Sequence, residues 1–129
     1  MKIAEMIELL DAMAITLDED ADCEFTHAFG SDLMSDVLCY SPEKCLMITG
    51  LCNIHCLRTA EMTGMQIILF VRSKLPTKEM IDEARENGIS LLRTSKTMFE
   101  VCGILYQNGI RPKRLDGCDE LPGSGTVTL

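Results

Sequence analysis

Ile3, Met6, Ile7 and Leu10 recur at i, i+3, i+4 and i+7, one face of an α-helix, so the chain is predicted to open on a short amphipathic helix. Two weaker strand patterns follow, AITL (14–17) and CEFTHAF (23–29), separated by the acidic turn DEDAD. Gly30-Ser31 then leads into DLMSDVLCY (32–40), a helix with Ser31 as its N-cap and Ser41-Pro42 as its stop. From residue 45 the pattern becomes regular. CLMIT (45–49) reads as a strand and NIHCLRTAEM (53–62) as a helix stopped at Gly64. QIILFV (66–71) is apolar on both faces, the mark of a central buried strand. TKEMIDEAREN (77–87) is a helix capped by Thr77, ISLLRT (89–94) a strand, and Thr97 with Glu100 a capping box that opens MFEVCGILYQN.

Strands alternating with helices across short connections imply right-handed βαβ units around a largely parallel sheet. With 129 residues, 47% of them apolar, the chain can bury one genuine core. Residues 111–129, RPKRLDGCDELPGSGTVTL, break the alternation with Gly, Pro and charge and are expected to form an extended or partly disordered tail. The organisation predicted is one α/β domain over residues 1–110 followed by that tail.

Charge narrows the partners. Twenty acidic residues against 12 basic give a net charge of −8, which supplies no positive field for nucleic acid or an anionic membrane surface. No run approaches the ~18 apolar residues of a membrane span, and the N-terminus lacks a leader pattern. Seven cysteines without a repeating spacing fit a reduced, cytoplasmic protein in which most thiols pack as small apolar groups.

The stretch CNIHC (52–56) raises the question of a metal. Cys52, His55 and Cys56 make a partial ligand set, but a structural zinc site needs four ligands and no second pair stands near in pattern. The turn before it is more informative. A strand ending in Thr49-Gly50 and passing into a helix presents backbone N–H groups at the C-terminal edge of a parallel sheet, where ligands bind in open α/β folds. Gly50 admits close approach, and Asn53 and Arg58 add donors. The next two strands leave through FVRSKLPT and RTSKT, which bring Arg72, Ser73 and Lys74, then Thr94 and Ser95, to the same edge. Asp32 and Asp36, four apart on a helix, suit a cation or a partner surface. Signatures of catalysis are missing: there is no G-x-x-x-x-G-K-[ST], G-x-S-x-G or H-E-x-x-H, and only two histidines. The chain is read as a non-enzyme without cofactor or bound metal.

The ITGLCN turn, the block RTAEMTGMQIILFVRSKLPTKEMIDEARENGISLL and the ending MFEVCGILYQNGI resemble the DRTGG domain family over residues 1–110. That family takes its name from a Gly-Asp-Arg turn after one strand and a Thr-Gly-Gly turn after the next. Here the corresponding stretches read Gly50-Leu51-Cys52 and Phe70-Val71-Arg72, so Gly50 alone is retained. The chain is similar to a divergent stand-alone subgroup from anaerobic bacteria with GL-x-N and FVR-x-K turns. The resemblance implies a three-layer α/β/α arrangement with a mostly parallel sheet of about five strands, like the N-terminal domain of HPr kinase/phosphorylase. It also implies no catalytic activity, since the kinase chemistry there belongs to a separate P-loop domain. A regulatory or ligand-sensing role, often with self-association as a homodimer, follows from the same resemblance.

Three functional readings therefore stand open. The first is a sensor of a small phosphate-bearing or nucleotide-like anion at the sheet edge, through Gly50, Asn53, Arg58, Arg72, Ser73, Lys74, Thr94 and Ser95. The second is an adaptor that docks a redox or signalling enzyme through the DLMSDVL helix. The third is a thiol or metal sensor at Cys52, His55 and Cys56.

Overall fold

A computed structural model describes residues 1–17, 24–34 and 45–112. In chain order the elements are α1 (Ile3–Leu10), β1 (Met13–Thr16), β2 (His27–Gly30), β3 (Cys45–Thr49), α2 (Ile54–Thr63), β4 (Ile67–Phe70), α3 (Lys78–Glu86), β5 (Ser90–Arg93), α4 (Met98–Gln107) and β6 (Arg111–Pro112). They build one six-stranded sheet in the order β1-β5-β4-β3-β2-β6. Every pairing from β5 through to β6 is parallel, and β1 adds antiparallel to β5 at the far edge. Of the expected helix over 32–40 only residues 32–34 are described, with Met34 helical; Asp36 and the tail beyond residue 112 lie outside the described residues.

Helices cover both faces, because the central strands are apolar on both. In β3, Leu46 and Ile48 point to one side while Cys45 and Met47 point to the other; in β4, Ile67 and Leu69 oppose Ile68 and Phe70. The first side packs against α1 through Met6 and Leu10 and against α4 through Val101 and Leu105. The second packs against α2 through Cys56, Leu57 and Ala60 and against α3 through Met80 and Ala84. This is the three-layer α/β/α arrangement, with six strands instead of about five. The sixth comes from Arg111 and Pro112, which read from sequence as the start of the tail and instead pair with His27 and Ala28.

Local signals set the helix ends. Asn53, Thr77 and Thr97 each cap a helix with a side-chain oxygen that accepts a backbone N–H, and Thr97 and Glu100 close a reciprocal capping box. Gly64 ends α2 at φ 80°, a left-handed conformation that glycine adopts without steric cost. The parallel register of β2, β3, β4 and β5 carries the C-terminal ends of all four strands, and the loops that follow them, to one edge of the sheet.

Candidate functional site

The loops at that edge are tied together by backbone hydrogen bonds. Val71 N–H donates to the Thr49 carbonyl at 3.1 Å, Thr94 N–H to Phe70 at 2.9 Å, and Ser73 N–H to Thr94 at 2.8 Å. Arg72 N–H donates to the Lys96 carbonyl at 2.9 Å and Lys74 N–H back to Val71 at 3.3 Å. The last bond closes a tight turn in which Arg72 and Ser73 both sit at φ 57°. Two successive positive φ angles define a type I′ turn, which glycine and asparagine ordinarily fill. Because the Arg72, Ser73 and Lys74 amides all have internal acceptors, this loop offers a ligand its side chains and not its backbone. All three side chains are exposed.

The turn after β3 is also internally bonded, which corrects the expectation of free N–H groups there. Gly50 N–H donates to Asp32 Oδ1 at 2.7 Å, Leu51 N–H to Thr49 Oγ1 at 3.0 Å, and His55 N–H to Asn53 Oδ1 at 2.9 Å. The buried Thr49 hydroxyl donates to the same Asp32 oxygen at 3.2 Å. Asp32, read from sequence as a separate cation or partner contact, thus belongs to the Gly50 turn. Sequence reasoning did not connect them because they lie on loops 18 residues apart and meet only when β2 and β3 pair in parallel.

Gly50 is where these parts converge. A Cβ built on it would lie 2.5 Å from an Arg72 guanidinium nitrogen and 3.4 Å from Asp32 Oδ1. The guanidinium therefore rests over the bare glycine, beside a carboxylate held from below by Gly50 and Thr49. Lys74 approaches the same turn: its ammonium draws the Cys52 thiol down, against the burial that raises it overall. The result is an exposed rim with two cations and one carboxylate over a glycine floor.

The remaining predicted residues are placed less centrally. Asn53 uses its side-chain oxygen as the α2 cap. Arg58 is exposed on α2 and its charge acts on Glu61. Ser95 is an exposed turn residue. Thr94 is buried, and its hydroxyl donates to the Leu10 carbonyl at 2.7 Å while accepting Lys96 N–H at 3.3 Å. Its side chain fastens α1 to the sheet and has no hydroxyl proton left for a ligand. At CNIHC, Cys56 is buried and its thiol donates to the Asn53 carbonyl. Burial pushes that thiol up to about 11, the opposite of an activated cysteine. Among the described residues no group of three or more His, Cys, Asp or Glu side chains gathers as a metal site.

A second concavity lies between α4 and the β2–β6 side of the sheet. It measures about 350 Å³ and is lined chiefly by Ala28, Ile48, Leu105 and Ile110, with the Arg111 guanidinium 4.4 Å from the centre of the Tyr106 ring at its rim. No described helix is long and apolar enough to cross a membrane.

No protein-family model matches the chain, and neither does any curated protein. Among solved structures it is similar to the CBS and DRTGG domains of the regulatory region of a Clostridium perfringens pyrophosphatase, in complex with the activator diadenosine tetraphosphate. The TM-score is 0.72 at 15% identity, over 87% of this chain and 50% of that one. The chain thus spans about half the length of that structure. The likeness supports the DRTGG-like fold that the sequence resemblance implied, and at this identity it is the fold that it carries.

Proposed function

We propose that the chain is a non-catalytic regulatory module that senses a nucleotide-like, phosphate-bearing ligand at the C-terminal edge of its sheet. The observation that carries this reading is the Arg72 guanidinium laid over Gly50 beside the anchored Asp32 carboxylate. Guanidinium is the side-chain group best matched to a phosphate, since its planar N–H fork pairs with two oxygens at once. Lys74 adds a second charge and Ser73 a hydroxyl on the same turn. Two non-glycine residues held at positive φ fit a ligand clamp, because such conformations persist only where the surroundings impose them. The regulatory region of the similar pyrophosphatase, complexed with a dinucleoside tetraphosphate, makes nucleotides the natural class to test.

The test is a thermal-shift and calorimetric screen of the full chain with diadenosine tetraphosphate, ATP, AMP and inorganic phosphate. A ligand specific to the folded state must raise apparent stability. Binding that Arg72→Ala abolishes supports the reading. Equal binding by native chain and variant, or none by either, rules it out.

A second reading, contact with another protein, has its own observation. Phe99 is 89% exposed and Tyr106 58% exposed on the outer face of α4, with open space over Gly103 between them. We place the expected homodimer, or a docked protein partner, on this face. Sedimentation of native chain and Phe99→Ser, with and without ATP, separates self-association from ligand sensing.

A further inference from the structure

The carboxylate is the unexpected part of a site proposed to receive a phosphate. A phosphate approaching the Gly50 turn meets Arg72 and Lys74, but it also meets Asp32, a like charge already seated on the backbone N–H that an anion would otherwise take. Asp32 does not give way easily. Its Oδ1 holds two donors, the Gly50 amide at 2.7 Å and the buried Thr49 hydroxyl at 3.2 Å. Thr49 is itself locked, accepting Leu51 N–H at 3.0 Å.

An ionised carboxylate has about four acceptor positions across its two oxygens. Two of them, both on Oδ1, are taken by the turn, and because Asp32 is exposed the rest, chiefly on Oδ2, are open to donors from outside it. Those positions are satisfied by donors and repelled by phosphate oxygens. A ligand complementary to the whole rim must therefore carry negative charge at one end and paired hydroxyl donors at the other. A ribonucleotide has both: the phosphates for Arg72 and Lys74, the ribose diol for Asp32. A bare polyphosphate has only the first.

We infer that Asp32 is the specificity-determining residue of this site, selecting ribonucleoside phosphates through the ribose hydroxyls and turning inorganic phosphates away. The inference rests on the sensing role proposed above and adds to it the part of the ligand that is read. On an exposed rim water replaces a missing hydroxyl, so no buried group is left unpaired. The diol is favoured by the net worth of hydrogen bonds to a charged acceptor, about 1.5–3 kcal/mol, which is about tenfold or more in affinity. It also separates two ligand sources that charge alone would confuse, cellular nucleotides and free polyphosphate.

The experiment measures dissociation constants of ATP, 2′,3′-dideoxy-ATP and tripolyphosphate for the full-length native chain, Asp32→Asn and Arg72→Ala. Asn keeps an oxygen for the Gly50 amide, so the turn survives, and matching thermal unfolding without ligand checks this. The native chain should prefer ATP over both other probes by about tenfold or more, the scale of one well-made polar contact. Asp32→Asn should erase most of that preference and bind tripolyphosphate more tightly than the native chain does. Arg72→Ala should weaken every probe that carries phosphate. Retention of the full ATP preference in Asp32→Asn would overturn the role of Asp32 while leaving the site intact. A native chain that binds tripolyphosphate as well as ATP would overturn it too. A native chain that binds none of the three removes the sensing role and this inference together.

Discussion

Thr94 lies in the loop at the candidate site, yet its side chain faces the other way, and replacing it separates architecture from binding. In Thr94→Val the shape is kept and the hydroxyl lost. Its hydrogen bond to the Leu10 carbonyl disappears, a net contribution of about 1 kcal/mol, and that carbonyl is left buried at the end of α1 without a partner. Carbonyls in the last turn of a helix have no intrahelical donor to fall back on, so the desolvation cost is of order 1–3 kcal/mol. The weaker 3.3 Å bond from Lys96 N–H is lost as well. Against these, the added methyl recovers up to about 0.8 kcal/mol of apolar burial. The balance is a destabilisation of about 2 kcal/mol, which for a chain of this length lowers Tm by roughly 6–8 °C. Urea unfolding followed by far-UV circular dichroism measures it, with an unchanged m-value as the sign that stability alone has moved. Thr94→Ser, which keeps the hydroxyl, should fall much closer to the native chain. A Thr94→Val protein within about 0.5 kcal/mol of native would refute the reasoning. Affinity for ATP should be unaltered in Thr94→Val, whereas a loss as large as that in Arg72→Ala would return Thr94 to the ligand.

Gly50→Ala introduces a Cβ 2.5 Å from a guanidinium nitrogen, which is the free end of a flexible side chain and can swing aside. Calorimetry should show weaker nucleotide binding, while the chemical denaturation midpoint changes by less than ~1 kcal/mol equivalent. Thr97→Ala breaks both halves of the capping box at the start of α4 and should cost about 1 kcal/mol, read from thermal unfolding. Cys56 provides a pH dependence. Burial lifts its thiol from 9.0 to about 11, so between those values the folded chain keeps a proton that the unfolded chain has released. Its contribution to stability is complete below pH 9.0 and is lost as pH rises toward about 11. Cys56→Ala should flatten that alkaline limb in urea titrations.

Much of the fold was legible because its signals are local. The alternation from Cys45 to Gln107, the Asn53, Thr77 and Thr97 caps and the double-sided apolar run at Ile67–Phe70 are all read from neighbours within one turn or one strand. What escaped depends on contacts between distant segments. The antiparallel direction of β1 is decided by its pairing with β5, and β6 becomes a strand only because β2 offers it an edge. At the site, Arg72 and Gly50 were both visible as loop residues, but their stacking was not. Thr94 looked like a ligand donor because nothing in RTSKT reveals a carbonyl 84 residues earlier waiting for its hydroxyl. Asp32 was seen and assigned elsewhere, since a strand as short as HAFG gives little notice of where its following loop will land.

The turn at Arg72 and Ser73 carries a consequence for evolution and for engineering. A left-handed backbone costs an L-amino acid roughly 1–2 kcal/mol relative to glycine, and the extra freedom of glycine in the unfolded chain offsets about half of that. Arg72→Gly should therefore come out of a stability selection as an improvement of up to ~1 kcal/mol. A library screened for thermal tolerance alone would collect it; one screened for nucleotide response would discard it. Under the proposed sensing role the two selections pull this position in opposite directions, robustness toward glycine and responsiveness toward arginine.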